Sequence, residues 1–285
     1  MVENMQILDG KALAKKIEEQ VASDVKILKK STGHTPGLAV ILVGSDPASQ
    51  AYVGMKKKAC DRAGFYSVTH EMPEDISQNA IETTIEMMNQ NPSIDGILIQ
   101  MPLPSQLDTT KLLELVAPHK DVDGFHPYNV GRLNTGLKGF VPCTPLGVME
   151  LLREYDIDLQ GMNAVVVGAS NIVGKPMAAL LLNANATVEV THIYTKDLKS
   201  HTQNADIVLV GAGVINLIKE DMVKEGAIII DIGINRADNG KLVGDVDFEN
   251  VSKKASYITP VPGGVGPMTI AMLLKNTLTA AQAHT

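Results

Sequence analysis

The stretch Ala164-Val-Val-Val-Gly-Ala-Ser-Asn-Ile-Val-Gly174 decides the fold of the second half of this chain. Its short apolar run is typical of a buried parallel strand, and the two glycines bracket a turn that leads into small residues. The order strand, glycine turn, helix predicts a dinucleotide site, because glycines let the backbone approach a pyrophosphate and the helix start offers it N–H groups. The spacing is not GxGxxG, so an ordinary tight turn is the alternative interpretation.

Short apolar runs recur around this turn in the pattern of an alternating α/β fold. Each run is too short for a helix and is separated from the next by a helical segment, as in a doubly wound parallel sheet. We therefore expect a Rossmann-like domain here. Its further predicted elements are strands at 187–191, 207–210, 227–232 and 256–259, and helices at about 145–155 and from about 268.

The first half of the chain repeats this alternation. Apolar residues recur at every fourth position from Leu13 to Val25, which predicts an amphipathic helix that ends at Thr32-Gly33. The continuous apolar run Gly37–Val43 then indicates a buried parallel strand. The later predicted elements are helices at 47–63, 78–89 and near 112–116, and strands at 65–72 and 96–100.

A stretch rich in Gly and Asn, 123–139, breaks the periodicity and predicts the boundary between two domains. We expect a first α/β domain over 1–139, a second over 140–267, and a terminal helix over 268–285 that packs back on the first domain. A chain of 285 residues with 45% hydrophobic residues is long and apolar enough for two cores.

Composition argues against several classes of protein. The apolar runs are far shorter than the about 20 residues that span a bilayer, so we expect no membrane segment. The N-terminal sequence lacks the order of a secretion signal, which favours a cytoplasmic protein. The two cysteines, Cys60 and Cys143, form no CxxC pair, so neither a disulfide nor a metal site is predicted. A net charge of -7 without a long basic block gives no indication of nucleic-acid binding.

Four polar side chains are candidates for a catalytic site. Tyr52 and Lys56 lie four residues apart on a predicted helix and therefore share one face. Gln100 ends a predicted strand, at the edge where open α/β sheets bind ligands, and Asp123 opens the boundary loop. The alternatives are ordinary roles: a solvated lysine, a tyrosine packed at the edge of the core and an acid in a turn.

Candidate contacts to a dinucleotide lie in the second half. Ser170 in the glycine turn is placed to bond a phosphate, and the segment 231–235 ends a later strand where the nicotinamide is expected. At the end of the second strand of such a fold, an acid favours NAD and a basic group favours NADP. This chain has no acid there and only His192 and Lys196 as partners, which favours NADP modestly and leaves NAD open.

These segments together resemble the bifunctional methylenetetrahydrofolate dehydrogenase/methenyltetrahydrofolate cyclohydrolase family, and the resemblance runs nearly from end to end. Five segments of the chain carry this resemblance. They are Val43-Gly-Ser-Asp-Pro-Ala-Ser-Gln-Ala-Tyr-Val-Gly-Met-Lys56, Gly96-Ile-Leu-Ile-Gln-Met-Pro-Leu-Pro104, Lys120-Asp-Val-Asp-Gly124, Gly168-Ala-Ser-Asn-Ile-Val-Gly-Lys-Pro176 and Pro260-Val-Pro-Gly-Gly-Val-Gly-Pro-Met-Thr269.

The resemblance implies two α/β domains flanking a cleft, with folate bound mainly by the first and NADP by the Rossmann-like second, in a homodimer. It implies that Tyr52 stacks on the substrate, Lys56 is the key catalytic group, Gln100 positions Lys56 and Asp123 anchors the pterin. The remaining residues implied are Pro262 and Gly263 for the folate site, and Gly168, Ala169, Ser170, Gly174 and Ile234 for the dinucleotide.

The family reaction suits these residue types. Hydride transfer from the methylene carbon needs positioning more than proton transfer, because nitrogen lone pairs stabilise the cation. Hydrolysis of the methenyl form needs a base for the attacking water, and Lys56 is the candidate. A lysine with the usual pKa near 10.4 is well under about 1% neutral at pH 7, so the pKa of Lys56 is expected to be lowered.

Two departures from the family pattern concern the dinucleotide. Several relatives have an arginine at the position of Ala169, and others have one near the position of Ile193, so NAD stays an alternative to NADP. Relatives also commonly carry a Gly-Lys-Pro-like segment where this chain has Gly211-Ala-Gly-Val-Ile-Asn216.

Three other interpretations stay open at this point. One is a dehydrogenase of similar shape that acts on another small substrate, such as a shikimate-like alcohol. Another is a member of the family that has the dehydrogenase activity alone. The last is a catalytically silent dinucleotide-binding or interaction protein, in which Lys56 is only a surface charge.

Overall fold

The computed structural model describes residues 5–284 of the protein. Residues 1–4 of the predicted first domain and Thr285 of the predicted terminal helix lie outside this range. The helices are α1 (Gly10–Thr32), α2 (Pro47–Ala63), α3 (Gln78–Gln90), α4 (Thr109–Leu115), α5 (Pro127–Asn134), α6 (Cys143–Glu154), α7 (Gly174–Asn183), α8 (Leu198–Thr202), α9 (Phe248–Val251) and α10 (Val265–His284). The strands are β1 (Gln6–Ile7), β2 (Gly37–Val43), β3 (Tyr66–Met72), β4 (Gly96–Ile99), β5 (Asn163–Val167), β6 (Thr187–Thr191), β7 (Ile207–Val210), β8 (Ile228–Asp231), β9 (Asn235–Arg236), β10 (Leu242–Val243) and β11 (Tyr257–Ile258).

The chain divides into two compact units. The first unit contains Lys15–Cys143 and Ile270–Thr285, and the second contains Met1–Ala14 and Thr144–Thr269. The N-terminal strand β1, which sequence reasoning placed in the first domain, pairs with β11 of the second unit. A strand of two residues has no periodicity that could have revealed this. The domain boundaries expected at 139 and 267 stay predictions.

The first unit is built on a parallel sheet with the strand order β3-β2-β4. The central strand β2 is buried along its whole length, which explains its continuous apolar sequence, whereas β3 is half-exposed along one edge. Ile41 of β2, Ile85 of α3, Ile97 of β4 and Leu112 of α4 share one fully or nearly fully buried cluster. The predicted strand 65–72 and helix 47–63 match β3 and α2 within one residue.

Local sequence signals fix the helix that carries the catalytic candidates. The Asp46 carboxylate accepts a hydrogen bond from Ser49 N–H at 2.7 Å, which caps the start of α2, and Pro47 occupies the first turn. Gly64 ends the helix with a left-handed backbone at φ 78°. The start of α2 therefore lies directly after β2, at the carboxyl end of the central strand.

The second unit contains a parallel sheet with the strand order β1-β11-β8-β7-β5-β6. The chain runs from β5 outward to β6 and then returns to β7 on the other side of β5, so the order reverses between β5 and β7. Such a switch point is where open α/β sheets bind ligands at their carboxyl edge. This sheet confirms the predicted Rossmann-like, doubly wound architecture.

The boundary stretch 123–139, which sequence reasoning interpreted as irregular, contains helix α5. The His126 ring accepts a hydrogen bond from Tyr128 N–H at 2.9 Å and caps the helix start, with Pro127 in the first turn. Asn129 donates to Pro118 O at 2.9 Å, which anchors the first turn of α5. The helix is only eight residues long and contains a glycine, so the sequence periodicity is weak.

Among residues 5–284, no helix combines the length and the apolar character needed to cross a membrane. Both cysteines are free and buried. Within the same residues, no three His, Cys, Asp or Glu side chains are grouped so as to hold a metal ion.

Candidate active site

Lys56 and Gln100 meet at the carboxyl edge of the first sheet. The Lys56 amine donates to Gln100 Oε1 at 2.9 Å, and the Gln100 amide nitrogen donates to Met101 O at 2.8 Å. Gln100 follows β4, and its backbone N–H bonds Ile41 O of β2 at 2.9 Å. Because the Gln100 amide nitrogen donates its hydrogen bond to Met101 O, the amide oxygen faces Lys56.

The surroundings of Lys56 differ from those of its neighbours Lys57 and Lys58. Lys56 is half-buried, whereas the other two side chains are exposed. Burial lowers the pKa of the Lys56 amine, and the negative charge of Asp123 acts in the opposite direction. A lysine that is only a solvated surface charge has no such environment.

Asp123 lies in the electrostatic field of Lys56. Burial raises the pKa of the Asp123 carboxyl group, and the Lys56 ammonium group and a hydrogen bond from the Cys143 thiol partly offset this rise. The structure thus brings Lys56, Gln100 and Asp123 together within the first unit, as the sequence predicted.

The backbone around Asp123 is held by a second carboxylate, which sequence reasoning did not select. Asp121 accepts hydrogen bonds from Phe125 N–H at 3.1 Å, His126 N–H at 2.8 Å and the Asn129 side chain at 2.8 Å. Burial raises the pKa of Asp121 to about 6. The repeated acid in Lys120-Asp-Val-Asp-Gly124 was the available signal that both positions matter.

Helix α10 holds the same segment from another side. The Asn276 amide donates to Val122 O at 2.8 Å and to Val141 O at 3.1 Å, and it contacts the Cys143 sulfur at 3.8 Å. All of these residues belong to the first unit. Asn276 and Cys143 therefore fix the chain on both sides of the Asp123 loop. A lone asparagine in an apolar helix was the only sequence signal for this contact.

Tyr52 lies one turn before Lys56 on α2 and is half-buried. Burial raises the pKa of its phenol, so the hydroxyl group stays protonated at neutral pH. The ring is therefore available for packing against a planar ligand rather than for proton transfer.

Backbone segments come unusually close together at the glycine turn of the second unit. Gly168 has φ 118°, and an added Cβ would lie 2.4 Å from Gly211 O of the loop after β7. At Gly174 an added Cβ would lie 2.0 Å from Gly168 O. The Ser170 hydroxyl oxygen accepts from Val173 N–H at 3.1 Å near the start of α7, which leaves its O–H as a donor. Neither glycine position has room for a side chain.

The strand-end segment 231–235 divides into a structural and an exposed part. Asp231 is buried, and its carboxylate accepts hydrogen bonds from the N–H groups of Gly233, Asp245 and Val246 at 2.9–3.0 Å. Burial raises the pKa of Asp231 to about 6. Ile234 is 41% exposed. Within this segment, Ile234 is thus accessible to a ligand, whereas the carboxylate of Asp231 is already hydrogen-bonded to backbone N–H groups.

The remaining predicted positions also lie in the second unit. Pro262 is exposed, and Gly263 has φ 109° and accepts from Lys11 N–H at 2.8 Å. At the end of β6, the His192 ring accepts from Tyr194 N–H at 3.2 Å, and Ile193 is 91% exposed. The roles of these residues stay predictions.

These features define a class: an α/β protein with a doubly wound dinucleotide-binding sheet and a separate unit that carries a half-buried lysine. The family models for the tetrahydrofolate dehydrogenase/cyclohydrolase catalytic domain and NAD(P)-binding domain match residues 8–123 and 142–285. The chain therefore belongs to the tetrahydrofolate dehydrogenase/cyclohydrolase family.

Individual relatives agree with this assignment. The bifunctional protein FolD of Sulfurimonas denitrificans is 80% identical over 98% of both chains. The crystal structure of the bifunctional FolD methylenetetrahydrofolate dehydrogenase/cyclohydrolase from Campylobacter jejuni is 57% identical, with a TM-score of 0.97 over 99% of this chain and 100% of that one. The Trypanosoma brucei enzyme, complexed with NADP and an inhibitor, is 40% identical, with a TM-score of 0.94 over 99% of each chain.

Proposed function

We propose that Tyr52, Lys56, Gln100 and Asp123 form one site that serves two successive reactions. The enzyme oxidises 5,10-methylenetetrahydrofolate to 5,10-methenyltetrahydrofolate with NADP, and it hydrolyses the methenyl form to 10-formyltetrahydrofolate. The observation that carries the proposal is the Lys56 amine, desolvated and bonded to Gln100 Oε1 at 2.9 Å.

The glycine turn fits a dinucleotide, because the backbone is bare at the two positions where a side chain would fill the turn. Gly168, Ala169, Ser170 and Gly174 would hold the pyrophosphate side, and Ile234 would contact the nicotinamide side. NADP, when bound, accepts the hydride from the methylene carbon. For this step the protein needs to orient the folate and exclude water, which is a task of positioning.

Asp123 and Tyr52 orient the folate. A carboxylate accepts hydrogen bonds from the amino group and a ring N–H of a pterin, and such bonds to a charged group are about twice as strong as neutral ones. The half-buried Tyr52 ring offers a flat apolar face for stacking. The family resemblance also makes Pro262 and Gly263 proposed folate contacts.

Hydrolysis of the methenyl form needs a base, and Lys56 supplies it. The lowered pKa raises the neutral fraction of the amine at pH 7, and only the neutral amine has a lone pair for a proton. The amine donates one N–H to Gln100 Oε1, which orients that lone pair. A water then adds to the methenyl carbon as Lys56 takes one of its protons, which gives a neutral hydroxyl adduct. The Lys56 ammonium group returns this proton to N5, the bond between N5 and the carbon breaks, and the hydroxyl proton passes to Lys56 and on to solvent, which leaves the formyl group on N10.

We also propose that the protein acts in the cytoplasm as a homodimer. Both statements rest on the family resemblance. Light scattering on the purified protein measures the assembly directly: twice the 30.5 kDa chain mass supports a dimer, and the chain mass alone contradicts it.

An assay with two optical channels tests the proposed function. Purified protein is mixed with 5,10-methylenetetrahydrofolate and NADP or NAD, and reduced dinucleotide and methenyl-to-10-formyl conversion are followed separately. We expect both signals with NADP, and a weaker first signal with NAD. Dinucleotide reduction without hydrolysis would contradict Lys56 as the base for water.

A further inference from the structure

Asp245 follows β10 in the chain and is fully buried. Three hydrogen-bond donors surround its carboxylate. Oδ2 accepts from Ala212 N–H at 2.7 Å and from Gly213 N–H at 2.8 Å, and Oδ1 accepts from the Asn235 amide at 2.8 Å. All three partners point an N–H at the carboxylate. A neutral amide in its place would turn an NH2 group toward at least one of these donors.

The donors lie at the carboxyl edge of the second sheet, two in the loop after β7 and one at the start of β9, directly after the loop that follows β8. Ala212 and Gly213 follow β7, in a loop that begins at Gly211, whose carbonyl faces Gly168 of the glycine turn. Asn235 follows β8 and comes directly after Ile234, a proposed dinucleotide contact. Asp245 therefore joins the loops on which the dinucleotide is expected to rest.

Asp231 in turn fixes Asp245. Asp231 Oδ1 accepts from Asp245 N–H at 3.0 Å. An added Cβ would lie 2.2 Å from Asp245 Oδ1 at Gly233 and 1.8 Å from Asp231 Oδ2 at Gly244. The glycines thus admit two carboxylates into a space that has no room for side chains at their positions.

We propose that Asp245 is a positioning residue of the dinucleotide site, which sets the loops after β7 and β8 and thereby the affinity for NADP. The inference rests on the proposed function. It also gives a role to the segment 211–216, whose sequence departs from the family pattern: its Ala212 and Gly213 N–H groups bind Asp245. Because hydrolysis of the methenyl form uses no dinucleotide, Asp245 should affect the two reactions unequally.

The test compares Asp245→Asn with the double variant Asp245→Asn/Asn235→Asp. In the single variant, the NH2 group of the new amide faces the Asn235 NH2 group when its oxygen faces Ala212 and Gly213. The second change supplies an acceptor to that NH2 group and reverses the hydrogen bond. Asp238→Asn, at an exposed position in the β9–β10 turn, is the matched control.

We expect Asp245→Asn to raise the KM for NADP about tenfold or more, since a lost hydrogen bond to a charged group is worth at least one factor of ten. Hydrolysis of added methenyltetrahydrofolate without dinucleotide should stay within about twofold of wild type, and the double variant should recover most of the NADP affinity. Equal loss of both reactions without recovery in the double variant, or an unchanged KM for NADP, would overturn the inference. Wild type that reduces no NADP would instead contradict the proposed function.

Discussion

Replacing Gly174 with alanine should separate the two activities of this enzyme. The added Cβ would lie 2.0 Å from Gly168 O, whereas ordinary contact begins at 3.4 Å, so the two segments must separate by 1.4 Å (3.4 − 2.0). Misplacement of a reacting group by about 1 Å costs about 100-fold in rate. We therefore expect kcat/KM for NADP to fall by about 100-fold or more, or about 2.7 kcal/mol in transition-state free energy.

The assay follows dinucleotide reduction and, separately, hydrolysis of added methenyltetrahydrofolate. Hydrolysis should stay within about twofold of wild type, because Lys56, Gln100 and Asp123 belong to the first unit and their contacts do not involve the glycine turn. Overpacking should also cost about 1–3 kcal/mol of stability, which a thermal melt would record.

Gly131→Ala is the matched control, because an added Cβ there meets no atom within 4 Å and the position lies inside helix α5. Both activities should equal those of wild type. An undiminished kcat/KM for NADP in Gly174→Ala would refute the reasoning that the bare backbone of the turn forms the dinucleotide site.

Three further predictions concern the first unit. Asp123→Asn should raise the KM for folate about 10- to 100-fold in both reactions, since charged hydrogen bonds contribute about 1.5–3 kcal/mol; an unchanged KM in steady-state kinetics would exclude the anchor. Gln100→Met removes the acceptor of the Lys56 ammonium group, so the acid limb of the pH–rate profile for hydrolysis should move to lower pH, and an unmoved limb would contradict the pairing. Burial raises the pKa of Asp121 from 3.8 to about 6, so the stability that Asp121 contributes decreases as the pH rises through 6. In urea titrations, the difference in unfolding free energy between wild type and Asp121→Asn should shrink by about 1.4 kcal/mol from pH 5 to 7.5. A constant difference would argue against the raised pKa.

The sequence predicted strands such as β2, β7 and β8 well because both faces of each are buried. Runs such as Gly37–Val43 contain few polar residues, and their length excludes a helix, so pattern alone identifies them. Elements without such a pattern were missed or blurred. Helix α5 depends on the local His126 cap and on a side-chain bond of Asn129 to Pro118 O, and neither contact is visible as periodicity.

The catalytic candidates were predictable as residue types but not in their environment. The four-residue spacing of Tyr52 and Lys56 and the strand-end position of Gln100 placed them near each other. We expected a lowered pKa of Lys56 from its role as a base, and the structure agrees. The desolvation that lowers the pKa depends on tertiary packing, and the run Lys56-Lys-Lys58 does not show which of the three lysines is desolvated. Asp245 was missed for a similar reason, because its donors are backbone N–H groups 32 and 33 residues earlier in the chain.

The predicted bifunctional family is confirmed, and with it the expectation of NADP as the cofactor. The alternative of an unrelated small substrate no longer applies, since the matches cover both domains of the family. The individual site roles stay predictions, which the variants above address.

Lys56→Met, compared with Lys57→Met on the next, exposed position of the same helix, tests the central claim most directly. Both variants are measured for hydrolysis of methenyltetrahydrofolate and for binding of NADP. If Lys56 is the base for water, Lys56→Met loses hydrolysis by at least about 100-fold while it folds and binds NADP like wild type, and Lys57→Met keeps both. Undiminished hydrolysis in Lys56→Met would contradict the account.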